Sequence, residues 1–265
     1  MVSRILVNGT HFNVDEDLPH PFWSGVQSGR WEPDTFHLFD RILLPNWRFV
    51  DFGAWIGPTT LYAARKARAV DAYECDPEAL RAFKRNLGVN PDLAGRVALF
   101  EHAVSDAYGF LRLYSQALGN SETSIFARHE RNAETIALAN SFLAGARDVR
   151  AIFRDKGYAA CAETLVKIDV EGAEFRIVPR LGEIIGDSRC TWCVSFHEWN
   201  LNPPDLPAEP IRAAEMIRTL SMFSGLRWFT TGLVELDKTA TLEAILTRSW
   251  ANHASLVFAN RDLAA

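Results

Sequence analysis

Two β-forming runs, the apolar Ile5-Leu6-Val7 and the mixed Thr10-His11-Phe12-Asn13-Val14, flank Asn8-Gly9. An Asn-Gly pair between β-forming runs favours a hairpin, because both turn positions take positive φ. Residues 15–35 are rich in Pro, Trp and Gly and read as an irregular approach segment, followed by a helix over 34–43 that Pro45 stops. From residue 48 the pattern switches repeatedly between period two and period 3.6. Strands are expected over 48–54, 69–75 and 97–104, with helices over 58–68 and 77–87, and the second helix carries Leu80, Phe83 and Leu87 on one face. Residues 110–114 alternate around Arg112 as an edge strand would. Further strands are expected near 164–170, 191–198, 226–231 and 255–259, with helices near 174–186 and 209–224. Strands separated by helices of this length build βαβ units, so the expected class is α/β, a mostly parallel sheet with helices on both faces. Segments near 242–248 and 255–258 are expected to add an antiparallel strand at one edge.

Residues 117–163 interrupt the alternation. Leu138, Phe142, Ala146, Val149 and Phe153 recur at spacings of three or four, the pattern of an amphipathic helix. Two readings of this helical insertion stay open, a helix packed on the core or a cap over a substrate pocket. The chain thus divides into a hairpin and approach segment (1–47) and a main unit (48–265) carrying the insertion, the whole read as one structural domain.

The 265 residues include 33 acidic and 28 basic side chains, a net charge of −5, and 48% are hydrophobic. That usage fits an ordinary globular chain and argues against disorder. Mild acidity without basic clusters argues against a nucleic-acid partner. There is no run of about 18 apolar residues, so no membrane-spanning helix is expected. Cys75, Cys161, Cys190 and Cys193 are too sparse for a disulfide framework, so a reducing, cytoplasmic setting is expected. Oligomeric state is left open.

The most informative stretch is Val50-Asp51-Phe52-Gly53-Ala54-Trp55-Ile56-Gly57, an apolar strand running into a glycine turn that opens a helix. Gly53 allows a tight turn and close approach of backbone to a ligand, and Gly57 allows close strand–helix packing. Asp51 can accept from an ammonium or support the loop. Glu74, beside Cys75 at the second strand's end, can grip both hydroxyls of a ribose. A dinucleotide turn would require G-x-G-x-x-G, and here Trp55 stands between two lone glycines. The pattern favours S-adenosylmethionine over a nicotinamide dinucleotide.

With Gly29-Arg30-Trp31-Glu32-Pro33-Asp34-Thr35 ahead of that turn, Tyr73-Glu74-Cys75-Asp76-Pro77 and Ala103-Val104-Ser105-Asp106 after it, and Leu165-Val166-Lys167-Ile168-Asp169-Val170-Glu171-Gly172-Ala173-Glu174 last, the sequence resembles the FkbM-type S-adenosylmethionine-dependent methyltransferases over about residues 29–200. The resemblance implies a class I methyltransferase, Rossmann-like sheet of seven strands, usually with one reversed edge strand. It also implies that Asp51, Gly53, Ala54, Trp55 and Gly57 surround the methionine portion and Glu74 with Cys75 the ribose. His102 and Ala103 would lie at the adenine, with Glu32 a further contact. Two positions depart from the family: Trp55 stands where Asn is frequent, and Ser195 replaces a frequent Glu two residues before His197.

Asp169 closes a core strand, and Glu171 points the same way if the strand persists. Glu174 reads as an acidic helix start. His197 ends the next strand, and an imidazole with an ordinary pKa near 6.5 suits removal of a hydroxyl proton. His197, Asp169 and Glu171 are therefore the expected catalytic residues, and Asp169 also faces the cofactor. Asp169, Glu171, His197 and Glu198 could alternatively hold Mg²⁺ with the acceptor's oxygens, but no metal is favoured, and Cys190 and Cys193 are read as structural. The expected activity is O-methylation of a small-molecule acceptor: a sugar, glycolipid or secondary metabolite. A nicotinamide-dependent oxidoreductase and a non-catalytic nucleoside-binding protein remain the alternatives.

Overall fold

The computed structural model describes residues 1–15, 22–131, 134–201, 208–247 and 255–263. The chain opens on β1 (Val2–Val7) and β2 (Thr10–Asp15), an antiparallel hairpin turned by Asn8 and Gly9, both at positive φ. Where an irregular segment was expected stands a short helix, α1 (Phe22–Gln27), whose Trp23 and Val26 are buried; α2 (Pro33–Ile42) follows, started by Pro33 in its first turn. The alternation then runs β3 (Arg48–Phe52), α3 (Pro58–Ala64), β4 (Ala69–Glu74), α4 (Pro77–Gly88) and β5 (Val97–Glu101). The third expected strand is in fact two, because the chain leaves the main sheet after β5 and begins β6 (Ala103–Ser105) and β7 (Gly109–Ser115).

The interrupting segment holds β8 (Arg128–Arg131), β9 (Glu134–Ala137), β10 (Asn140–Asp148) and α5 (Val149–Lys156). The expected amphipathic helix is therefore a helix only from Val149 onward. Residues 140–148 are a strand, antiparallel to β7 and parallel to β6. Asp148 starts α5 by accepting from the backbone N–H groups of Arg150 and Ala151 at 2.7 and 3.3 Å.

The chain continues with β11 (Thr164–Ile168), α6 (Glu174–Arg180), α7 (Gly182–Asp187) and β12 (Thr191–Ser195). One helix was expected where α6 and α7 stand; the division at Leu181 follows Pro179, which has no N–H to continue the ladder. The last elements are α8 (Ala208–Ser221), β13 (Arg227–Thr230), β14 (Glu235–Leu236), α9 (Lys238–Leu246) and β15 (Ser255–Ala259). Residues expected to pair near 242–248 lie instead mostly in α9.

The main sheet has the order β14-β13-β15-β12-β11-β3-β4-β5. It is a mostly parallel α/β sheet, as expected, but of eight strands rather than seven, with the two-residue β14 at one edge. The reversed strand is not at the edge: β15 lies antiparallel between β12 and β13. Successive strand residues feed opposite faces. Phe49, Leu165 and Cys193 join one core with α2 and α3, while Val50, Val166 and Trp192 join the other with α5, α6 and α8. No helix among the described residues is long and apolar enough to cross a membrane.

Candidate functional site

In a parallel sheet, loops at the carboxyl ends of the strands converge on one side. Here the ends of β3, β4, β11 and β12 border two adjoining cavities. The first is lined by Glu74, Cys75, His102 and Ala103 together with Asn120, Ser121 and Thr123. The second is lined by Glu32, Ala54, Lys167, His197 and Glu122. Gly53, Trp55, Asp169 and Glu171 border both.

The turn after β3 is shaped by contact within the protein. A Cβ on Gly53 would lie 1.8 Å from the carbonyl oxygen of Asp169, so Gly53 makes its close approach to the backbone just after β11. Asp51 and Gly57 do not line either cavity. Asp51 is fully buried and accepts from the hydroxyls of Thr59 and Thr60 at 2.8 and 2.7 Å, so of its two expected roles it takes loop support. Gly57 packs against the ring of Phe83 on α4.

Glu74 is also tied inward. Its Oε1 accepts from the N–H groups of Cys75 and Asp76 at 2.6 and 2.7 Å, and its Oε2 accepts from Trp55 N–H at 2.8 Å. A carboxylate offers about four acceptor sites, so roughly one remains for a ligand rather than the two that a full ribose grip requires. Burial pushes its carboxyl upward against the pull of those amides. Trp55 takes a left-handed φ of 49°, and its indole donates to Gly119 O at 2.7 Å. His102 has a buried Nε2 with no hydrogen-bond partner, and burial lowers its pKa.

The interrupting segment walls both cavities through residues 120–125. Asp76 holds it there: Oδ1 caps α4, and Oδ2 accepts from Gly119 N–H at 2.9 Å and Thr123 Oγ1 at 3.2 Å.

The second cavity contains a chain of charges. Lys167, 3% exposed in the middle of a core strand, places Nζ 2.6 Å from Asp169 Oδ2 and 3.7 Å from Asp51 Oδ1. Burial would lower the lysine, but Asp169, Asp51 and Glu32 outweigh it and push the ammonium up. Burial likewise opposes the charge on Asp169, yet Lys167 and His197 hold it below the ordinary range. Glu32, in a left-handed conformation at the start of α2, is pushed up to about 7 by burial and by Asp169.

His197 is 6% exposed and clasped by carboxylates. Glu174 Oε1 accepts from its backbone N–H at 2.6 Å and stands 3.1 Å from Nδ1. Nε2 faces Asp169 Oδ1 at 3.3 Å and Glu171 Oε1 at 3.4 Å. Glu171, at a left-handed φ of 50°, is pushed up to about 7, mainly by burial. Burial would lower His197, but Glu171, Glu174 and Asp169 push it up to about 10. The three carboxylates thus favour the protonated imidazole, where the sequence led to an ordinary pKa near 6.5.

The structure brings Asp169, Glu171 and His197 together, and adds to them Lys167 and the clasping Glu174, which sequence reasoning passed over. A lysine inside a five-residue run of buried strand positions was the available signal. Cys190 and Cys193 sit in cores on opposite faces of the sheet and cannot share a metal.

No family model and no curated protein matches the chain. Among solved structures, it is similar to methyltransferase FkbM from Methylobacillus flagellatus KT, at 15% identity and a TM-score of 0.46 over 81% of this chain and 44% of that one. It is also similar to an SAM-dependent methyltransferase from Agrobacterium tumefaciens, at 11% identity and 0.37 over 83% and 58%. A geranyl diphosphate methyltransferase in complex with GPP and sinefungin aligns at 10% identity and 0.39 over 92% and 85%. The chain spans less than half the length of the first of these. Likenesses this distant identify neither activity nor substrate.

Proposed function

We propose that the protein is an S-adenosylmethionine-dependent methyltransferase of the FkbM type, O-methylating a hydroxyl of a sugar, glycolipid or secondary metabolite. The observation that carries this reading is the junction at Gly53, Trp55 and Asp169, where a cavity suited to a nucleoside meets one lined by charge. S-adenosylmethionine supplies a transferable methyl group on a cationic sulfonium. The first cavity fits its nucleoside: Glu74 keeps an acceptor position for a ribose hydroxyl, and the orphaned His102 Nε2 suits the edge of an adenine. Asp169 offers an anion toward the positive end of the cofactor. Lys167 offsets that charge from beneath, so the carboxylate stays ionised.

On the acceptor side, Asp169 and Glu171 take the hydroxyl's hydrogen bond and its proton, while His197, held by Glu174, orients both carboxylates. Trp31 and Trp55 provide apolar wall for the acceptor body. Alignment supplies much of the remaining rate enhancement, because fixing both reactants removes most of the entropic barrier. Calorimetry with S-adenosylhomocysteine and NAD separates this reading from an oxidoreductase, and methyl transfer to a panel of hydroxylated acceptors separates it from a mere nucleoside binder. Glu171→Gln is expected to lower kcat by about 10²–10⁴ while S-adenosylhomocysteine affinity stays within a few-fold. An unchanged kcat would remove Glu171 from the chemistry.

A further inference from the structure

The second cavity gathers three ligating atoms that proton transfer alone does not require. Nε2 of His197, Oδ1 of Asp169 and Oε1 of Glu171 all lie within 4.8 Å of one another, on the wall of a space of about 260 Å³. Among the described residues, the hydrogen bonds at the nitrogens of His197 both run to Glu174, through the backbone N–H and Nδ1. Nε2 stands 3.3 and 3.4 Å from two carboxylate oxygens with no hydrogen bond to either. An ion about 2.0–2.2 Å from each of its ligands sets neighbouring ligand atoms roughly 3.0–3.5 Å apart at tetrahedral or octahedral angles, which is the spacing found around Nε2.

The groups behind the three also fit. A carboxylate on the far nitrogen of a histidine fixes its ring, and Glu174 does this for His197; an ion entering the site takes the Nε2 lone pair by displacing the proton that the carboxylates favour there. Asn200, 1% exposed, donates from Nδ2 to the remaining oxygen of Glu171 at 3.4 Å, and its own buried Oδ1 has no partner. Asp169 and Glu171 come from the turn after β11, and His197 stands two residues past β12.

We propose that Asp169, Glu171 and His197 form a binding site for one divalent first-row transition ion, open toward the second cavity. An imidazole with two carboxylates suits Zn²⁺, Co²⁺ or Mn²⁺, whereas Mg²⁺ takes oxygen ligands in near-octahedral order and is the poorer occupant. Three protein ligands leave positions open on the cavity side. That these positions face an acceptor oxygen rests on the methyltransferase reading; the ion site itself does not.

The test uses the full chain, stripped by chelator dialysis and titrated with Co²⁺ and Mg²⁺. Visible d–d absorption, calorimetry and the fluorescence of Trp199, whose ring lies 5.1 Å from that of His197, report binding. One equivalent of Co²⁺ is expected, held at least about 100-fold tighter than Mg²⁺. Glu171→Gln and Asp169→Asn, near-isosteric changes checked for folding by thermal melts, are each expected to weaken Co²⁺ by more than about 10-fold. Absent stoichiometric binding, Mg²⁺ bound as tightly as Co²⁺, or variants that bind like the wild type would each overturn the site. S-adenosylhomocysteine is titrated in parallel: its binding without Co²⁺ binding overturns the ion site alone, and Co²⁺ binding without it overturns the methyltransferase reading alone.

Discussion

Lys167 shows how much of this site depends on single buried charges. It lies between Asp51 and Asp169 with almost no solvent, and removing it leaves two carboxylates facing each other across the base of β3 and β11. Breaking a buried pair from one side costs about 3–5 kcal/mol, because the remaining charge is left uncompensated. Lys167→Met is therefore expected to lower unfolding stability by that order in urea titrations, and adding Asp169→Asn should recover part of the loss. A single mutant as stable as the wild type would mean that Lys167 offsets no such buried charge. Glu74→Ala removes the acceptor of three backbone N–H groups and one ligand position. S-adenosylhomocysteine should bind more weakly by about 1.5–3 kcal/mol, as calorimetry would show. At this scale the sequence was legible for position: Glu74, Asp169 and His197 lie beside the cavities at or just past strand ends, where their motifs put them. It was not legible where charge partners come from different strands: nothing local to His197 tells that three carboxylates surround it, and so its charge state cannot be read from its neighbours in sequence.

Elements were legible where one period excludes the other. The hairpin around Asn8-Gly9 and the strands β3, β4, β11 and β12 stand at the places their patterns indicate. The stretch over 138–148 departs from the helix its spacing suggests for a definite reason. Leu138, Phe142 and Ala146 are four apart, and a spacing of four places residues on one side of a strand as well as of a helix. The deciding position is Leu143, 61% exposed between the inward Phe142 and Ala144, an alternation that only a strand produces. The helix that does form, α5, is held at its start by Asp148, which also pairs with Arg180 at 2.9 Å. Burial opposes the charge on Asp148, but Arg180 and the capped N–H groups outweigh it and hold the carboxyl below the ordinary range. A depressed folded-state pKa gives stability above the unfolded value near 3.9 and loses it as pH falls through the folded one. Asp148→Ala should thus cost about 0.5–2 kcal/mol at neutral pH, with the difference from wild type shrinking below about pH 4. Melting curves across pH check this; a difference that persists undiminished at low pH would contradict it.

At the scale of the whole molecule, the sheet order brings four strand ends to one side and sets the interrupting segment across them. The reversed β15 between β12 and β13 could not be read from hydrophobic pattern, because pairing partners distant in sequence leave no local trace. The class of fold was legible, and so was the side of the sheet on which the two cavities open. In the proposed function the two adjoining cavities together hold S-adenosylmethionine, with its nucleoside against Glu74 and His102. The most direct measurement is isothermal titration of the full chain with S-adenosylhomocysteine, and with NAD as the rival. Saturable binding of one S-adenosylhomocysteine per chain, weakened about 10-fold or more by Glu74→Ala and without measurable heat from NAD, is the result expected. Binding of NAD in preference, or no binding of S-adenosylhomocysteine by folded protein, would contradict it.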